Sequence, residues 1–69
     1  MKTWEHETKE YSTARNIELA ISGYFMGLGF ECLTDIQWLY REDSYKLVVE
    51  YGAMFDKTVI LENIARELG

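Results

Sequence analysis

Apolar and polar positions along this chain keep two different periods, and each change of period marks an element. Between residues 12 and 28, Ile17, Ala20, Ile21, Tyr24, Phe25 and Leu28 recur at steps of three and four. That spacing places them on one face of a helix. Ser12 or Thr13 is the expected N-cap. Gly29 is the expected C-cap, because it takes a positive φ without a Cβ penalty. Gly23 and Gly27 are four apart on the same helix. An interior glycine costs up to ~1 kcal/mol. Either a second helix approaches closely there, or Gly27 belongs to a fraying last turn; Gly23 is expected to have a packing reason.

Residues 30–55 alternate instead. Ile36, Trp38 and Tyr40 interleave with Gln37, Leu39 and Arg41, and Tyr45, Leu47, Val49 and Tyr51 with Lys46, Val48 and Glu50. Period two is the mark of half-buried strands. Arg41-Glu42-Asp43-Ser44 supplies a polar turn between them. The expected hairpin sets Tyr40 against Tyr45, Trp38 against Leu47 and Ile36 against Val49. The same register sets Cys32 against Ala53, Phe30 against Phe55, and the like charges Asp35 and Glu50 against each other, a mildly unfavourable pair. One face is then apolar throughout, and a one-residue slip would turn it to water.

Residues 57–68 predict a second helix, with Asp56 as N-cap and Ile60, Leu61, Ile64, Ala65 and Leu68 as its apolar stripe. Glu62 and Arg66 fall four apart in the favourable order. Residues 1–11 suit either period: Trp4, His6 and Thr8 share strand parity, while Trp4, Thr8 and Tyr11 share a helical face. Thr and Trp favour an extended arm or edge strand. The expected fold is a small two-layer α+β domain of order (β)αββα. A β-hairpin, extended to a three-stranded antiparallel sheet if residues 1–11 join it, is covered by two amphipathic helices.

Length sharpens this picture. Sixty-nine residues make one domain, spanning 1–69. A chain of this size is marginally stable without a disulfide, a metal or a partner. Cys32 is the sole cysteine and His6 the sole histidine, so neither an internal disulfide nor a Cys/His zinc site is available. Association is the helper that remains. Two Trp, five Tyr and three Phe exceed what so small a core needs, and Tyr and Trp are enriched at interfaces.

Charge narrows the partners. The net charge of −5 repels phosphate backbones and anionic membranes alike. It favours a basic protein. No apolar run approaches the ~20 residues of a membrane span. The N-terminus carries Glu5, Glu7 and Glu10 rather than a signal sequence. The expected location is cytoplasmic.

Candidate chemistry is thin. His6 lies between Glu5 and Glu7, but neighbours in a strand point to opposite sides, so neither carboxylate need touch the ring. Cys32 follows a helix C-terminus and Glu31, the wrong surroundings for a reactive thiol. Glu42-Asp43 lacks the converging oxygens of a cation loop. Gly27-Leu28-Gly29 follows a helix instead of opening one, so it is no phosphate loop. Basic residues do not interleave with aromatics as in an RNA-stacking platform. No cofactor is expected, and the chain does not read as an enzyme.

What remains is aromatic anchors ringed by acidic groups, the composition of a binding hot spot. The expected partner-binding residues are Trp38, Tyr40, Glu42, Asp43, Tyr45, Glu50 and Tyr51. The leading expectation is an acidic, non-enzymatic module that inhibits or regulates a larger basic protein. A nucleic-acid-handling protein is the natural target, as for phage-type anti-defence or host-takeover proteins. The alternative is a homo-oligomeric structural subunit, such as a homodimer, that pairs through its aromatic strand face.

Overall fold

The computed structural model describes residues 1–52 and 56–69. Its elements run β1 (Lys2–Thr8), α1 (Tyr11–Leu28), β2 (Cys32–Leu39), β3 (Ser44–Tyr51) and α2 (Thr58–Leu68). The order is βαββα, and the fold is a small α+β domain. Residues 2–8 form an edge strand, so the N-terminal segment follows its strand parity and not its helical one. The sheet is antiparallel in the order β1-β3-β2. The central strand is therefore the last in sequence, and both β1 and β2 are edges.

Parity sorts the sheet into two faces. Lys2, Trp4, His6 and Thr8 of β1 share a face with Cys32, Thr34, Ile36 and Trp38 of β2 and with Tyr45, Leu47, Val49 and Tyr51 of β3. Both helices cover this face. Ile17, Ile21 and Phe25 from α1 and Leu61 and Ala65 from α2 meet Trp4, Leu47, Val49 and Tyr51 in one buried cluster. Burying each large apolar side chain stabilises the fold by about 1.5–3 kcal/mol. The opposite face carries Glu5, Glu7, Asp35, Gln37 and Glu50, all exposed.

The hairpin register differs from the expected one by two residues. Trp38 faces Tyr45, Ile36 faces Leu47, Thr34 faces Val49 and Cys32 faces Tyr51. An even shift keeps every side chain on its expected face, so the hydrophobic pattern does not resist it. The four-residue turn lies one place earlier than expected, running Tyr40–Asp43 between the paired Leu39 and Ser44. Asp43 has φ 50°, a left-handed conformation that Asp tolerates better than most residues. Asp35 lies opposite Val48 and Glu50 opposite Leu33, so the expected like-charge pair does not form. The expected partners Ala53 and Phe55 lie outside the described residues.

Helix α1 starts one residue earlier than expected. Glu10 occupies the cap position without a side-chain hydrogen bond, so neither Ser12 nor Thr13 caps it. Its end is as the glycine requires. Gly29 has φ 76°, its N–H donates to the Met26 carbonyl at 3.1 Å, and the Phe30 N–H donates to the Phe25 carbonyl at 3.1 Å. This is a Schellman closure. Gly23 and Gly27 are exposed, and a Cβ at either would meet open space. The expected close approach of a second helix is absent at both positions.

Helix α2 buries Leu61 and Ala65, with Ile64 half-buried and Ile60 and Leu68 exposed. Asp56 sits one place outside the cap position, which Lys57 holds. It still accepts the Thr58 N–H at 2.9 Å and the Thr58 hydroxyl at 2.5 Å. Ion pairs among the described residues join Arg15 to Glu18 and Lys46 to Glu5, so Glu62 and Arg66 are not joined.

Candidate functional site

The predicted binding residues separate into three places. Trp38, Tyr40, Glu42, Asp43 and Tyr45 gather at the hairpin end of the sheet. Trp38 and Tyr45 are cross-strand partners with ring centroids 4.8 Å apart. Tyr11, the first residue of α1, meets Tyr45 edge-on at 5.4 Å. The three rings form one continuous cluster on the helix-covered face. Each such pair adds about 0.5–1.5 kcal/mol beyond area burial. Yet the cluster is not closed. Trp38 is 49% exposed and Tyr11 53%, because α1 begins here and nothing described lies beyond it. Tyr40, in the turn, is 85% exposed, and Glu42 and Asp43 beside it are exposed too.

Glu50 is exposed but lies elsewhere. It sits on the helix-free face between Thr3 and Leu33, six residues along β3 from Ser44, or about 20 Å. Tyr51 is a correction. It is buried in the core, stacked on Phe25 with centroids 5.0 Å apart. Its hydroxyl accepts the Lys57 N–H at 3.0 Å and donates to Asp56 at 3.3 Å. A ring enclosed on this scale has no surface to offer a partner. Trp4, another of the excess aromatics, is core as well, with its indole stacked on His6 at 5.7 Å.

The helix-free face carries the charge. Four carboxylates, Glu5, Glu7, Asp35 and Glu50, share it with one strand ammonium, Lys46, which approaches Glu5 at 3.6 Å. Surface pairs of this kind contribute little to stability. Their value is the field they leave, which attracts basic groups.

At the hairpin end of this face lies a pocket of about 350 Å³, lined by Glu7, Thr8, Lys9, Glu42 and Ser44. The Lys9 ammonium crosses it and donates to the Glu42 carbonyl at 2.7 Å. Ser44 is buried at 3% exposure, and its hydroxyl has no hydrogen-bond partner among the described residues. A buried hydroxyl left unpaired costs about 1–3 kcal/mol. Sequence reading missed this pocket, since Lys9 and Glu42 are 33 residues apart and the expected register left Ser44 in the turn.

It also missed Glu18. This carboxylate is buried within α1, held by Arg15 and by the Thr34 hydroxyl at 2.8 Å. The contact ties α1 to the edge strand β2. The available signal was the Arg15–Glu18 spacing of three on a face otherwise made of Ala14, Ile17, Ile21 and Phe25.

The single cysteine and histidine stay quiet. Cys32 is half-buried, and desolvation, then the Glu18 charge, raise its pKa and disfavour the thiolate. The His6 ring lies on the helix-covered face, while Glu5 and Glu7 lie on the other. Among the described residues no three His, Cys, Asp or Glu side chains converge as a metal site would need. None of the described helices is long and apolar enough to cross a membrane. Compared with known proteins, the chain matches no family model, no curated relative and no solved structure.

Proposed function

We propose that the chain is a non-enzymatic binding module that docks on a basic protein through the hairpin end of its sheet. The observation that carries this reading is the half-open ring cluster of Trp38, Tyr45 and Tyr11, flanked by Tyr40, Glu42 and Asp43. Rings already packed on one another lose little freedom on binding, and their outer surfaces remain to be covered. Aromatic anchors of this sort carry much of the energy at protein interfaces. The neighbouring carboxylates set the sign of the partner. A groove built to hold phosphates has the matching charge, so inhibition of a nucleic-acid-handling protein in the cytoplasm is the corresponding role.

The test is affinity capture by the wild-type chain and by a Trp38→Ala variant across a salt series. The expected result is a basic protein held by the wild type, released by salt and lost with the variant. Identical captured sets for the two chains would overturn the reading.

A second reading, self-association, is favoured by one observation. β2 is an open edge that carries Leu33 at 63% exposure as well as Trp38, and such edges pair readily. Light scattering from micromolar to near-millimolar concentration separates the two. A dimer that persists on dilution and is lost with Trp38→Ala favours self-association.

A further inference from the structure

We propose that the pocket behind the hairpin turn is a guanidinium site, which takes an arginine side chain of the partner. The pocket's volume of about 350 Å³ lies near the small end of ligand sites and suits one extended side chain. Its lining is rich in acceptors: Glu7 and Glu42 bring carboxylates, and Ser44 brings a buried hydroxyl that has no partner among the described residues. Two carboxylates exclude an anion. A ligand that satisfies several separated acceptors needs several donors on a rigid frame and a positive charge. Guanidinium has five N–H donors in a fixed fork; an ammonium has three on a point charge.

The chain itself argues against an ammonium. Lys9 already places one in the pocket, bonded to the Glu42 carbonyl, and Ser44 remains unpaired. Lys9 is thus the internal competitor for the site, and an incoming arginine takes its place on Glu42. The pocket and the aromatic cluster flank the same turn from opposite faces of the sheet. One partner surface that wraps the hairpin end reaches both.

That the guanidinium comes from a protein rests on the docking reading above; the pocket's preference for it does not. The experiment follows amide NMR spectra of the labelled full-length chain titrated with acetyl-arginine amide. The uncharged, near-isosteric acetyl-citrulline amide is the control. Saturable shifts confined to Thr8, Lys9, Glu42 and Ser44, seen with the arginine amide alone, are expected. Ser44→Ala should weaken binding roughly tenfold, the worth of one charge-assisted hydrogen bond. It should not lower the thermal midpoint, since the hydroxyl it removes is unpaired. Lys9→Ala should strengthen binding.

An equal response to citrulline, or unsaturated shifts spread over Glu5, Asp35 and Glu50, would overturn the site. So would an arginine-amide affinity left unchanged by Ser44→Ala. Capture that depends on Trp38 without arginine-amide binding would leave the docking reading standing and remove the pocket. The reverse pattern would remove the docking reading alone.

Discussion

Tyr45 and Tyr51 lie on the same strand and the same face, six residues apart, and their surroundings differ sharply. Tyr51 is 1% exposed, stacked on Phe25, with its hydroxyl bonded to the segment that opens α2. Tyr45 is half-buried between Tyr11 and Trp38, which are themselves half open to solvent. Parity decides the side of the sheet on which a ring lies. It does not decide how deep the ring goes. Depth is set by what the helices place above it. The C-terminal part of α1 and the start of α2 close over Tyr51, whereas Tyr45 meets the ring of Tyr11, the first residue of α1. One end of the layer is core and the other is available surface.

Alanine at each position tests that division most strongly. Tyr51→Ala should cost about 3–5 kcal/mol, as for other large buried aromatics. A chain of this length holds about 3–10 kcal/mol in all, so the variant should be substantially unfolded at 25 °C. Tyr45→Ala should cost only about 1–2 kcal/mol, for a half-buried ring with two aromatic neighbours. Urea unfolding of both variants gives the difference directly. Equal losses would make the hairpin end part of the core and remove the ground for treating it as a docking surface.

A gentler change asks what the Tyr51 hydroxyl adds. Tyr51→Phe keeps the stack on Phe25 and removes the bonds to Lys57 N–H and Asp56. The expected loss is about 1–2 kcal/mol. If the urea midpoint stays in place, the contrast between the two tyrosines rests on ring burial alone.

Much of this architecture was legible in the sequence, because it follows from period. The alternation of residues 45–51 and the three-four spacing of 17–28 gave elements, order and faces. The α+β layering followed, since one apolar sheet face and two apolar helix stripes have few other ways to meet. The register was not legible. A shift of two preserves every inside–outside assignment, so only the turn geometry at Tyr40–Asp43 decides it. That is why Trp38 faces Tyr45 and not Leu47, and why Ser44 was placed in the turn. Depth is not legible either, which is why Tyr51, expected among the binding residues, lies in the core.

Gly23 is a third case. Its place inside a helix suggests a packing reason, but it is exposed, and a Cβ there would meet open space. Gly23→Ala should therefore raise stability by about 0.5–1 kcal/mol through helix propensity alone. Measured beside the tyrosine variants, it calibrates what a change outside the core is worth. A loss in place of a gain would reveal a contact at this position and end the propensity account.

The smallest expected effect lies at the Tyr51 end and concerns pH. Asp56 is exposed and accepts from the Thr58 hydroxyl and N–H and from the Tyr51 hydroxyl. The Thr58 hydroxyl first, then its N–H, hold the Asp56 carboxyl below the usual value of 3.8. A carboxyl that is more acidic in the folded chain binds fewer protons there than in the unfolded chain as pH falls. Its contribution is therefore complete above the unfolded pKa, near 3.8, and is lost as pH drops through the lower folded value. Other carboxylates titrate over the same range, so the informative quantity is a difference between two chains. Asp56→Asn keeps an acceptor for Thr58 and removes the titration. Below about pH 4, the thermal midpoint of the wild type should fall more steeply than that of the variant, followed by the near-ultraviolet signal of the buried aromatics. Parallel acid limbs would mean that the Asp56 contacts do not report on the closed end of the sheet. The difference between Tyr51 and Tyr45 would then lie in packing alone.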